Sequence, residues 1–139
     1  MSEKVRDIMA EIPVSLPPIA TVTEAAQVMR DYSIGDVLVV EGDRLHGVVT
    51  DRDIVVRALA EQWKPDTTPL RDICSTDLAM VGPEDDSDQA VRLMRERAVR
   101  RLPVVESARV VGVVTIGNLA VVKDPDSALA DISAAPPNE

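Results

Sequence analysis

With 139 residues, 45% of them apolar and 28% charged, the chain has the length and composition of one globular domain or of two small halves sharing a core, not of a disordered segment. A net charge of −9, with one Trp, one Tyr and no Phe, excludes a general nucleic-acid or anionic-membrane surface: a polyanion would be repelled and bases would find no stacking platform. Cys74 alone allows no internal disulfide, and a single Cys and a single His make no metal-ligand set; no apolar run spans a bilayer and Met1 to Met9 is charged rather than signal-like, so a cytoplasmic location is expected.

A repeat organises the elements. Residues 5–54 align without a gap on residues 70–119: Arg6-Asp7-Ile8 recurs as Arg71-Asp72-Ile73, Met29-Arg30 as Met94-Arg95, and Gly47-Val48-Val49-Thr50 as Gly112-Val113-Val114-Thr115. Each copy opens with a short helical turn, at Val5 to Met9 or Leu70 to Cys74, and an extended stretch marked by proline. A helix follows. Its start is signalled by Thr21 with Glu24 and by Asp86 with Gln89, the spacing at which a cap satisfies orphaned backbone N–H groups. Ala25, Val28, Met29 and Tyr32, like Ala90, Leu93 and Met94, fall at helical spacing and are predicted to face the core. Two β-rich runs come next, Val37 to Val40 with Leu45 to Val49, and Leu102 to Val105 with Val110 to Val114; Gly42-Asp43 suits the first hairpin turn. A second helix is predicted from Arg52 to Glu61 and again from Gly117 to Val122 or beyond. The expected division is a first repeat over residues 1–61, a linker over 62–69 with Trp63 packed down, a second repeat over 70–123, and an acidic, frayed tail over 124–139.

Two such units, carrying Arg-Asp-Ile-Met at Arg6 to Met9, Pro-Val-Val at Pro103 to Val105 and Gly-Val-Val-Thr-x-x-Asp at Gly47 to Asp53, resemble the tandem cystathionine-β-synthase (CBS) pair called a Bateman module. The resemblance implies an α/β (α+β) fold of two β-α-β-β-α repeats packed sheet to sheet with pseudo-two-fold symmetry. It also implies a regulatory role without catalysis, with AMP, ADP, ATP or S-adenosylmethionine bound in a cleft between repeats. Such modules are most often fused to the enzyme, channel or transporter they control. This chain has no room for one, so it is expected to act as a homodimer, on an unidentified target protein in trans, or as a ligand buffer.

The resemblance assigns ribose binding to Thr50 and Asp53. An ionised Asp is acceptor-only and can take hydrogen bonds from both ribose hydroxyls, while Thr50 stands where strand becomes helix, a place whose free N–H groups and dipole favour phosphate. Thr-x-x-Asp is equally the spacing of a capping box, and the sequence leaves both roles open. Phosphate binding falls to Arg52, Arg100 and Arg101, the last two just before the Pro-Val strand of the other repeat; the alternative is that the arginines from Arg92 to Arg101 are solvated helix-end charge. Adenine is expected against Val14, Ser15, Leu16 and Val37 on one side, and Ala79 to Val81 with Leu102 on the other. The second pocket is degenerate. Asn118 follows Thr115 where the ribose aspartate would stand, and Gly35-Asp36 replace the arginines, so a phosphate would meet a carboxylate. His46, the only histidine, has no nucleophile beside it, and no enzyme activity is expected. The leading reading is a sensor of an adenosyl nucleotide, one per chain. The rival is a ligand-free CBS-fold dimerisation or protein-interaction module.

Overall fold

Local signals in each repeat specify the same run of elements, and the computed structural model, which describes residues 3–11 and 14–135, contains them in order. Helix α1 (Val5–Ile8) precedes strand β1 (Ser15–Leu16) and helix α2 (Val22–Tyr32). The Thr21 hydroxyl accepts from the Glu24 N–H at 3.2 Å to start α2, and Ser33 ends it in the left-handed region at φ 54°. Ala25 and Met29 are buried and Val28 packs beside them, but Tyr32 is 54% exposed, contrary to its helical spacing, because the last turn of α2 runs past the core.

Strands β2 (Asp36–Glu41) and β3 (Arg44–Thr50) form an antiparallel hairpin, with β1 parallel on the far side of β2. A single turn, α3 (Asp51–Asp53), then passes directly into a π-helix, Ile54–Leu59. The sequence predicts an ordinary helix here. The run Ile54-Val55-Val56 is β-branched and crowds a regular turn, and the wider winding shows in the Ala60 N–H donating to Val55 O at 2.9 Å and the Trp63 N–H to Ala58 O at 3.0 Å.

The second repeat opens on a 3₁₀ turn (Leu70–Asp72) and continues with α4 (Ser87–Arg97), β4 (Arg101–Glu106), β5 (Arg109–Thr115) and α5 (Ile116–Lys123). Asp86 caps α4 through the Asp88 N–H at 2.8 Å, not through Gln89. In place of a strand like β1, Val81 makes an isolated parallel bridge to Val104. The tail does not simply fray. Ser127 caps a further helix, α6 (Ala128–Ala134), which packs on α5 and buries Ala130; residues 136–139 lie outside the described residues.

The chain divides into two compact units that cut across the repeats: residues 14–78 form one, and residues 3–11 with 79–135 the other. The opening turn of each repeat thus packs in the unit built on the other repeat. Val5 is wholly buried among Val81, Ala90 and Leu102, its N–H donates to Asp85 O at 2.8 Å, and Lys4 and Arg6 reach Glu84 at 2.8 and 2.9 Å. Those cations, Lys4 foremost, hold the Glu84 carboxyl below its ordinary range. Leu70 and Ile73 are likewise buried in the core of unit 14–78 with Val22, Val37 and Val49. Within residues 62–69, Thr68 is buried and its carbonyl accepts from the Val22 N–H at 3.0 Å.

Two glycines permit this docking. A Cβ on Gly47 would stand 2.6 Å from Ser75 O, and one on Gly112 would stand 2.9 Å from Ala10 O. No described helix is long and apolar enough to cross a membrane.

Candidate functional site

The candidate residues cluster where the second strand of each hairpin becomes a helix. In unit 14–78, Thr50 faces Asp36 across the hairpin, and the Asp51 N–H donates to Gly35 O at 2.9 Å. In the other unit Thr115 faces Arg101 in the same register, and the Ile116 N–H donates to Arg100 O at 2.9 Å. Thr50, Arg52, Asp53, Gly35 and Asp36 therefore share one unit; Thr115, Asn118, Arg100 and Arg101 share the other.

Both helix starts are capping boxes of matching geometry. The Asp53 N–H donates to Thr50 Oγ1 at 3.0 Å, and Asp53 Oδ2 accepts from the Thr50 N–H at 2.9 Å. At the second start the Asn118 N–H donates to Thr115 Oγ1 at 3.0 Å, and Asn118 Oδ1 accepts from the Thr115 N–H at 3.0 Å. The capping role read from the spacing is present in both. An amide oxygen performs it as well as a carboxylate oxygen, so the cap itself does not use the second oxygen of Asp53, Oδ1. Its counterpart on Asn118 is an NH₂ group, a donor and not an acceptor.

Charge also separates the two starts. Gly35 leaves room for the Asp51 carboxylate, which approaches to 3.2 Å of where a Cβ would lie, so Asp36, Asp51 and Asp53 gather at the first. Arg52 between them is exposed, and its N–H donates to Asp51 Oδ1 at 2.8 Å. Of the expected adenine wall, Val14 and Leu16 are half-buried and Ser15 is exposed. Val37, at 1% exposure, packs its side chain with Val39 and Val49 in the core.

One contributor escaped the sequence analysis. Arg57 lies with Nε 3.6 Å from Asp53 Oδ1, and its Nη1 donates to Ile73 O at 3.1 Å. The i, i+4 spacing of Asp53 and Arg57 was the available signal. Cys74 follows Ile73, half-buried against Gly47, and burial pushes its thiol up from the ordinary range.

Concave apolar surface also lies between the helices of each unit. A groove of about 510 Å³ in unit 14–78 is lined by Ala26, Ile54, Leu59 and Trp63, the last 43% exposed. One of about 590 Å³ in the other unit is lined by Val91, Ile116, Leu119 and Leu129, with Arg100 at its edge.

Residues 5–59 and 70–123 each match the family described as the CBS domain. The chain belongs to the CBS domain family. It is 38% identical to the CBS domain-containing protein YhcV of Bacillus subtilis over 84% of this chain and 83% of that one. Hypoxic response protein 1 of Mycobacterium tuberculosis is 36% identical over 83% of this chain and 81% of its own length. A crystal structure of hypoxic response protein I with two coordinated zinc ions matches 85% of this chain and 97% of its own at a TM-score of 0.78 and 35% identity. Among the described residues no three His, Cys, Asp or Glu side chains are grouped to hold a metal ion. A CBS domain pair solved with 5′-methylthioadenosine and S-adenosyl-L-methionine matches in fold at a TM-score of 0.80, with 22% identity, over 91% of this chain and all of its own. The mixed α/β architecture is that of CBS pairs, which are regulatory modules.

Proposed function

We propose that this CBS pair senses an adenosyl nucleotide, with Thr50 and Asp53 receiving the ribose, and passes the signal to a partner protein in trans. The observation that carries the reading is the surplus oxygen of Asp53. Capping needs one acceptor, which Asn118 supplies equally well, so the carboxylate at Asp53 offers a second acceptor, Oδ1, at a position only 14% exposed. A carboxylate held this way suits a vicinal diol, and the fold accommodates adenosyl compounds in a related CBS pair. Arg52, beside Asp53 in the same unit, is the proposed phosphate contact.

The test is a thermal-shift panel of AMP, ADP, ATP, S-adenosylmethionine and NAD on wild type and Asp53→Asn. Asn preserves the cap, so the ligand-free melting point should barely move. At a ligand concentration of ~100 Kd the wild type should gain ~2.7 kcal/mol, and the variant should lose most of that gain. No shift with any of the five at millimolar concentration would refute nucleotide sensing and leave the ligand-free interaction module.

Self-association belongs to the same proposal. Val55, Val56 and Leu59 are 55, 45 and 67% exposed on the helical side of unit 14–78, an apolar surface that a second copy would cover. Light scattering should give the mass of a dimer at micromolar concentration.

A further inference from the structure

We infer that Arg57 is the positioning residue of this site: its guanidinium holds the outer oxygen of Asp53 in the orientation that receives ligand hydroxyls. The inference rests on Asp53 being the ribose acceptor. A carboxylate anchored at one oxygen can still swing about that bond. Oδ2 is anchored by the Thr50 N–H at 2.9 Å, and the Arg57 guanidinium, with Nε 3.6 Å from Oδ1, draws the second oxygen by charge. Arg57 is fixed in turn, since its Nη1 donates at 3.1 Å to the carbonyl of the wholly buried Ile73. The planar fork of guanidinium donors lets one side chain face both groups.

The distances assign Arg57 a supporting role and not a competing one. At 3.6 Å the pair is wider than a direct hydrogen bond, so Oδ1 keeps its lone pairs for a ligand while the cation offsets the charge of a carboxylate only 14% exposed. The second repeat has Val122 in the corresponding place and needs no cation, because the amide of Asn118 carries no charge. The first site is therefore built as a carboxylate with its own counter-ion and the second as a neutral cap.

The test has a ligand-free arm and a binding arm. Arg57→Met keeps the apolar stem and removes the donors. In amide NMR spectra of the ligand-free protein it should shift the Thr50 and Asp53 resonances and speed exchange of the Thr50 amide proton, leaving Thr115 and Asn118 unmoved as the internal control. In calorimetry with AMP it should weaken binding about 3–10-fold, Arg57→Lys should recover part of that loss, and Arg57→Met added to Asp53→Asn should cost nothing more. An unmoved Thr50 amide, or equal AMP affinity in wild type and Arg57→Met, overturns the assignment. If wild type binds no AMP, the ribose reading falls separately and the amide spectra alone decide whether Arg57 orients Asp53.

Discussion

The helix starts at Thr50–Asp53 and Thr115–Asn118 perform one backbone task with different chemistry. Four hydrogen bonds between 2.9 and 3.0 Å close the two boxes, and neither Asp nor Asn closes its box better. The shared geometry accounts for the threonines and for one oxygen at each third position. It does not account for a carboxylate at one start and an amide at the other, nor for Arg57 beside the carboxylate alone. What two copies of one fold have in common is what folding requires, and what separates them is open to function.

The two glycines against which the opening turns dock are the strongest place to break this comparison. Gly47→Ala would drive a methyl to 2.6 Å from a backbone carbonyl, whereas in Gly112→Ala the shortest contact, 2.7 Å, is to the flexible Met9 Sδ. Both should lose stability, by about 1–3 kcal/mol in urea unfolding, with Gly47→Ala the worse. Wild-type stability in either would contradict the packing of the opening turns. A smaller effect is expected at Ser87, whose wholly buried hydroxyl has no partner among the described residues and stands where the first repeat has the buried Val22. Ser87→Ala should raise stability by about 1 kcal/mol, because an unsatisfied buried group is removed. The hairpin turns give the smallest pair. Gly42 at φ 67° meets nothing within 4 Å, while Ala108 holds φ 69° with a Cβ. Ala108→Gly should gain and Gly42→Ala lose about 0.5–1 kcal/mol in thermal unfolding.

Much of the fold was legible because its signals are local. The Gly-Val-Val-Thr strands, the Thr21 cap and the hairpin at Gly42 each specify their own few residues, and repetition fixed their register. The exchange of opening turns was not legible: alignment of residues 5–54 on 70–119 shows which segments are alike, not which core each one enters. The tail misled for a related reason. Its acidity is real, but Ser127 and Ala130 give it a cap and a buried contact that composition does not show. At the site, Thr50-x-x-Asp53 was found with both roles attached, and only the equal cap at Asn118 showed that capping leaves an oxygen to spare. Arg57 lay within reach of a spacing rule but not of a repeat comparison, because the second copy has no counterpart.

The central claim is that Asp53, and not the matching Asn118, makes this chain a nucleotide sensor. Isothermal calorimetry of whichever adenosyl compound gives the largest thermal shift tests it most directly, using wild type and Asp53→Asn at equal concentration. The account predicts one molecule bound per wild-type chain and binding lost in the variant, whose ligand-free melting point stays within a degree or two of wild type for a change worth a few tenths of a kcal/mol. Two molecules per chain, or undiminished binding by Asp53→Asn, would contradict it.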